Sequence, residues 1–271
     1  MLKSNLALRL ATAAVVVPLL LALLFLAPAW AFFVLIAVAS AICALEVFRM
    51  THPGDLVSQV LGVLTTLGVA IALYIAGGDA RVLVTLLIGV PLLGMMIALF
   101  RFRDIPSAGL CVMGGAVAPL YVGVPLAMLA LMRRDFPDGA GYVLLTLMFG
   151  WFADTGGYFF GRYLGKAKLY EAVSPKKTRE GFVGALVGAV IGGLVAHFGY
   201  LPRLPLASAI VLGVAGGALG QFGDLIESLL KRSTGVKDSG NIVPGHGGLM
   251  DRVDALLVVA PVVYLYSLWT G

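Results

Sequence analysis

Charge is scarce in this sequence. Asp, Glu, Lys and Arg make up 12% of its 271 residues, against roughly 25% in soluble domains. With 60% hydrophobic residues and a mean hydropathy of +1.01, the chain is too apolar to be a water-soluble fold around one buried core. Cysteine is scarce as well. Cys43 and Cys111 are the only two, and both lie in apolar runs, where a thiol packs like a small hydrophobe. That excludes a disulfide framework and a thiolate–zinc cluster, and three histidines add little for zinc. The sequence contains no low-complexity segment and none of the dyad alternation of a membrane barrel.

What is present is a series of long apolar runs. A bilayer span needs roughly 20 apolar residues, and lipid leaves backbone groups no partner but the chain itself, so each run reads as a helix. The runs fall near 8–26, 29–48, 56–76, 81–100, 108–132, 140–161, 181–200, 206–230 and 252–269. The expected fold is therefore all-α: a polytopic helical bundle of about nine transmembrane helices in one membrane domain spanning 1–271. Residues 1–140 would form an N-terminal helical scaffold, and 141–271 the catalytic helices and loops. The N-terminal run imitates a signal peptide, but a second apolar run follows at once, so it reads as an uncleaved first helix.

Charge placement gives the orientation. With a cytoplasmic N-terminus, 15 of the 19 Lys and Arg residues fall in inner segments, and only Arg81, Arg133, Arg134 and Arg203 fall outside. By the positive-inside rule the two longest polar loops, 162–180 and 231–251, face the cytoplasm.

The acids concentrate where the chemistry should be, with eight of 14 at or beyond Asp154. Asp224, Glu227, Ser228 and Lys231 are spaced to share one helix face if the helix at 206–230 runs on. Asp251 and Asp254 repeat the i, i+3 spacing at the start of the next helix. A carboxylate at mid-bilayer costs about 2.5–3.5 kcal/mol on insertion scales, so these acids need water, a cation or basic partners. Oxygen-only clusters suit a hard cation such as Mg²⁺; pairing with Lys231, Arg232 and Arg252 is the plainer account. Asp154, in FGWFADTGGYFFGR, needs a partner from another helix, and the glycines beside it suggest a tightly packed or broken helix.

Two loops carry further candidates. Lys176, Lys177 and Arg179, after Ser174 and before a helix near Gly181, could clamp a triphosphate; a basic loop obeying the topology rule explains them equally well. VPGHGGLMDR places Gly247 and Gly248 beside His246 ahead of a helix, an arrangement suited to anions and also to a plain turn. Glu46, near a cytoplasmic helix end, reads as a snorkelling side chain, and His197 as a structural one.

Together these segments resemble the phosphatidate cytidylyltransferase (CDP-diglyceride synthase) family. Ser228, Lys231, Arg232, Lys237, Asp238, Pro244, His246, Gly247, Gly248, Asp251, Arg252 and Asp254 stand at that family's spacing, and ADTGGYFFGR and SPKKTREG look like its other segments. The resemblance at motif level covers 150–254. It implies condensation of CTP with phosphatidic acid to CDP-diacylglycerol and pyrophosphate. It further implies a requirement for Mg²⁺, residence as a multi-pass enzyme in the cell inner membrane with its active site facing the cytoplasm, and room for a homodimer. On this reading Asp224, Asp251, Lys231 and Arg252 are catalytic. Asp224, Asp251, Asp254, Asp154 and Glu227 surround the metal. Ser174, Lys176, Lys177, Arg179, Ser228, Arg232, Lys237, His246, Gly247 and Gly248 bind substrate. The partners are CTP, phosphatidic acid and the lipid bilayer, and no nucleic-acid partner is expected. The competing functions are a CTP-dependent lipid kinase and an ion-coupled transporter, which would spread its acids along a transmembrane path.

Overall fold

The computed structural model describes residues 2–242 and 247–270, with the backbone alone for 2–11 and 13. His246 and Pro244 lie outside the described residues. The element order is α1 (Leu2–Phe25), α2 (Ala29–Thr51), α3 (Leu56–Ala76), α4 (Ala80–Arg101), α5 (Ile105–Asp135), α6 (Gly139–Tyr163), β1 (Lys168–Tyr170), β2 (Ser174–Thr178), α7 (Arg179–Gly199), α8 (Leu206–Ser233), α9 (Met250–Val253) and α10 (Leu256–Thr270). Among the described residues, seven of these helices, α2 to α8, are long and apolar enough to cross a membrane. α10 has 15 residues, or about 22 Å of rise, short of a hydrocarbon core of roughly 30 Å. The protein is an all-α multi-pass membrane protein.

Local chemistry sets the ends. Asp55 caps α3, its carboxylate accepting from the Ser58 amide and, at 2.6 Å, from the Ser58 hydroxyl. Thr178 caps α7 by accepting from the Gly181 amide. Such caps satisfy amides that have no partner within the helix.

Two expectations change in the structure, and one left open between two readings is resolved. The basic loop at 162–180 contains an antiparallel hairpin, with Lys168 opposite Thr178 and Tyr170 opposite Ser174. Glu180 anchors it by accepting from the Lys166 and Ala167 amides, and the Arg179 amide donates to the Ala167 carbonyl. Asp251 and Asp254 do not open one helix: α9 ends at Val253, α10 begins at Leu256, and Asp254 lies between them. Of the two readings of the glycines beside Asp154, the structure has the tightly packed one: α6 runs unbroken past Asp154, and Gly156 sits against the backbone of α7.

The chain divides into two compact units. The first holds residues 1–131 and 238–252, so the segment after α8 folds with the N-terminal helices and not with the C-terminal half. Within it α2 packs on α3, where Gly62 admits the Phe48 ring: a Cβ on Gly62 would lie 2.3 Å from it. α4 crosses α5 at Gly94, where a Cβ would meet the Gly115 carbonyl oxygen at 2.1 Å. The outer face of α4 carries exposed Leu87, Ile88, Leu92, Met96 and Leu99, the inverse of a soluble surface and the one lipid demands.

The second unit holds residues 132–237 and 253–271. Its centre is the packing of α6 on α7 and of α7 on α8 around buried Phe149, Ala185 and Ala189. With no water to drive association in lipid, helices adhere by close backbone approach at small residues. A Cβ on Gly156 would lie 2.2 Å from the Gly184 oxygen, one on Gly188 2.1 Å from the Phe152 oxygen, and one on Gly193 2.4 Å from the Ala209 oxygen.

Candidate active site

The close approach of α6 and α7 leaves a cleft at the hairpin end of the second unit. It is an open cleft of about 200 Å³, lined by Asp154, Gly157 and Tyr158 of α6, Lys176 and Lys177 of β2, and Gln221 and Asp224 of α8, with Gly161, Thr178, Gly181 and Phe182 between them. The sequence-derived candidates Asp154, Lys176, Lys177 and Asp224 thus come from three elements to one cavity.

Lys177 is the hub. Its Nζ lies 2.9 Å from Asp224 Oδ2 and donates to Gln221 Oε1 at 3.0 Å. Asp224 Oδ1 accepts from the Ser228 hydroxyl at 3.2 Å, one turn on. Gln221 is 9% exposed and went unrecognised in the sequence, although it stands one turn before Asp224 on the same helix. At the rim, Arg162 donates to the Tyr158 hydroxyl and its guanidinium lies 5.7 Å from that ring's centre.

Further along α8, Glu227 is 1% exposed and pairs with Lys231 at 3.3 Å. Asp254, ahead of the apolar stretch of α10, is pushed up to about 7, first by burial and then by the negative field of Asp224; the Ala255 amide opposes this and Asp154 adds to it. The fields of Asp154, Asp224 and Asp254 therefore overlap, and a cation among them would lower the energy of all three. Ser174 begins β2, and Arg179, Arg232 and Lys237 are exposed.

The donor set is oxygen-only and suits Mg²⁺. Among the described residues, no group of three or more His, Cys, Asp and Glu side chains stands ready to hold a metal ion.

The segment 238–252 is organised separately, within the first unit. Asp251 Oδ2 accepts from the Ser239 amide at 3.1 Å, the Ser239 hydroxyl at 3.0 Å and the Gly248 amide at 2.9 Å. The Gly248 amide, read from sequence as an anion donor, is thus given to Asp251. α9 is a single turn, and its leading amides are taken too: Leu249 and Met250 donate to Glu46 at 3.0 and 2.8 Å. Gly247 has φ +86°, a conformation open to glycine. Arg252 is exposed.

Glu46 does not snorkel. It is 0% exposed and accepts from Ser239 as well as from the two amides. Its signal in the sequence was its isolation, as the only acid in the first 54 residues, inside an apolar helix.

Fold and cleft define the class: an all-α multi-pass membrane protein in which lysines meet carboxylates in a cleft between helices. The cytidylyltransferase family profile matches residues 7–269, and the chain belongs to that family. Its relatives include the phosphatidate cytidylyltransferases of Staphylococcus saprophyticus (41% identical over 164 residues, 60% of this chain and 59% of the relative) and Bacillus subtilis (41% over 150 residues, 55% of each). That of Staphylococcus aureus is 40% identical over 166 residues, 60% of this chain and 59% of the relative. The chain spans less than two thirds of the length of the curated relatives it matches.

Proposed function

We propose that this protein transfers the cytidylyl group of CTP to phosphatidic acid, giving CDP-diacylglycerol and pyrophosphate. The observation that carries the reading is the cleft in which Lys177 stands between Asp224 and Gln221 beside Lys176, in a chain about 40% identical to enzymes named for that reaction.

A phosphate monoester has its second pKa near 6, so phosphatidic acid is already largely dianionic at neutral pH and needs no strong general base. One of its phosphate oxygens attacks the α-phosphorus of CTP. The bond from that phosphorus to the oxygen bridging to the β-phosphate breaks, and pyrophosphate leaves with the electron pair. The difficulty is bringing two anions together, so catalysis is positioning and charge neutralisation. Lys176 and Lys177 bind triphosphate oxygens in the cleft. Lys231, Arg232 and Arg179 add positive charge, and Ser174 and Ser228 add hydroxyls. Asp224 and Asp254, with Asp154 and Glu227 beside them, would hold Mg²⁺, which would supply neutralisation of phosphate charge. Asp251, Arg252, Lys237 and Gly247 remain in the proposed set. The active site faces the cytoplasm of an inner membrane, in keeping with the bias of basic residues. The lipid enters laterally between helices, and the protein works alone or as a homodimer.

The test uses the purified full chain in phosphatidic-acid liposomes with Mg²⁺ and CTP labelled at either the α- or the γ-phosphate. Label from the α-phosphate should appear in lipid and label from the γ-phosphate in pyrophosphate. Transfer of the γ-label to lipid would instead mark a lipid kinase and overturn the proposal.

A further inference from the structure

The most unusual group outside the cleft is the carboxylate of Glu46. It sits in apolar α2 with 0% exposure, and everything it touches in the 238–252 segment is a donor: the Ser239 hydroxyl at 3.0 Å and the Leu249 and Met250 amides at 3.0 and 2.8 Å. These contacts span about 200 residues of sequence and grip both flanks of the segment. The backbone has been cleared to allow it. A Cβ on Gly240 would lie 2.5 Å from Glu46 Oε1, and one on Gly248 would lie 2.7 Å from Glu46 Oε2 and 2.0 Å from Ser239 Oγ. Ser239, 7% exposed, also reaches Asp251 Oδ2 at 3.0 Å. One hydroxyl therefore joins the carboxylate of α2 to that of α9.

We infer that Glu46 is a positioning residue: through Ser239 and the α9 amides it fixes the placement of Asp251 and Arg252. A carboxylate in an apolar helix is retained when its loss leaves buried donors unpaired. Here that loss strands the Leu249 and Met250 amides and leaves the Ser239 hydroxyl with Asp251 alone. Glu46 touches no substrate; it acts through the residues it holds. Its importance for turnover rests on the proposed cytidylyl transfer, but its hold on the segment does not.

The experiment compares the wild-type full chain with Glu46→Gln and Ser239→Ala in lipid nanodiscs. Amide hydrogen exchange is read at 239–242 and 247–252, and turnover with CTP and phosphatidic acid is measured in parallel. Glu46→Gln should speed exchange at Leu249 and Met250 while leaving α3 and α7 unchanged. It should lower kcat by about 10–100-fold, as losses of supporting residues do elsewhere, with the KM for CTP little moved. Ser239→Ala should act in the same direction more weakly. Unchanged exchange at Leu249 and Met250 in the folded Glu46→Gln protein overturns the positioning role. Faster exchange with full turnover overturns its link to catalysis. If the wild-type protein itself shows no turnover, the functional proposal fails, and the exchange data still decide the role of Glu46.

Discussion

The ammonium of Lys177 lies 2.9 Å from Oδ2 of Asp224, and the amide oxygen of Gln221 holds it from a second side at 3.0 Å. β2 and α8 are thereby joined across the cleft by a cation already partly stripped of water: the Lys177 side chain is 17% exposed and that of Asp224 36%. An ammonium in that state is preorganised to meet an anion without first shedding a hydration shell.

Replacing Lys177 with alanine should therefore reduce cytidylyl transfer by about 100–1000-fold, the range for losing one preorganised donor. Lys177→Arg should recover only part of this, since the planar guanidinium cannot reproduce a point charge held between Asp224 and Gln221. Steady-state turnover in liposomes, with circular dichroism to confirm folding, decides the matter. Activity within threefold of wild type in Lys177→Ala would remove this lysine from the site.

Gln221→Leu keeps volume and burial but deletes the acceptor that orients Lys177. A hydrogen bond to a charged group contributes about 1.5–3 kcal/mol, so kcat/KM should fall about 10–100-fold. The Lys177→Ala/Gln221→Leu double variant should be little worse than Lys177→Ala alone. A double-mutant cycle provides the measurement, and full additivity would show that the two residues act independently.

The helix contact at Gly156 and Gly184 makes a packing prediction. A Cβ at either position meets opposing atoms at 2.2–2.4 Å, so Gly184→Leu must force α6 and α7 apart. Overpacking of this kind costs about 1–3 kcal/mol. Tm in detergent should drop, and activity should fall with it because the cleft lies between these helices. At Gly199, where a Cβ meets nothing within 4 Å, alanine should leave both unchanged.

Asp55 supports a prediction about acid stability. Arg101 donates twice to it, at 2.6 and 3.1 Å. That hydrogen bonding, against a smaller opposing effect of burial and with help from Ser58, holds the Asp55 carboxyl well below the usual carboxylate range. A group whose pKa is depressed by folding stabilises the protein above its unfolded pKa of about 4, and that contribution fades as pH falls further. Asp55→Asn should therefore lower Tm at pH 7, and the gap to wild type should narrow steadily below pH 4. Arg101 is 39% exposed, so high salt should shrink the gap at pH 7 as well.

Much of the protein was legible before its structure. Lipid spares no backbone group, so apolar runs of the right length had to be helices, and α3 begins and ends where its run does. The candidates Asp154, Lys176, Lys177 and Asp224 were also visible, because charged residues in so apolar a chain stand out and need a reason to persist. The hairpin at 168–178 was not legible, as its five-residue strand SPKKT has neither apolar alternation nor an aromatic pattern. Gln221 was passed over because a neutral amide carries no such signal.

The sequence by itself determined a polytopic helical protein and marked its last 120 or so residues by their acids, because hydropathy and charge act locally and leave local marks. Only the tertiary structure decided which lone carboxylate does what. Glu46 and Asp154 look alike in sequence, each an acid in an apolar helix. One is sealed against the amides of α9 and the other lines an open cleft. Electrostatic roles depend on the few ångströms between side chains far apart along the chain, and those distances exist only once the helices have packed.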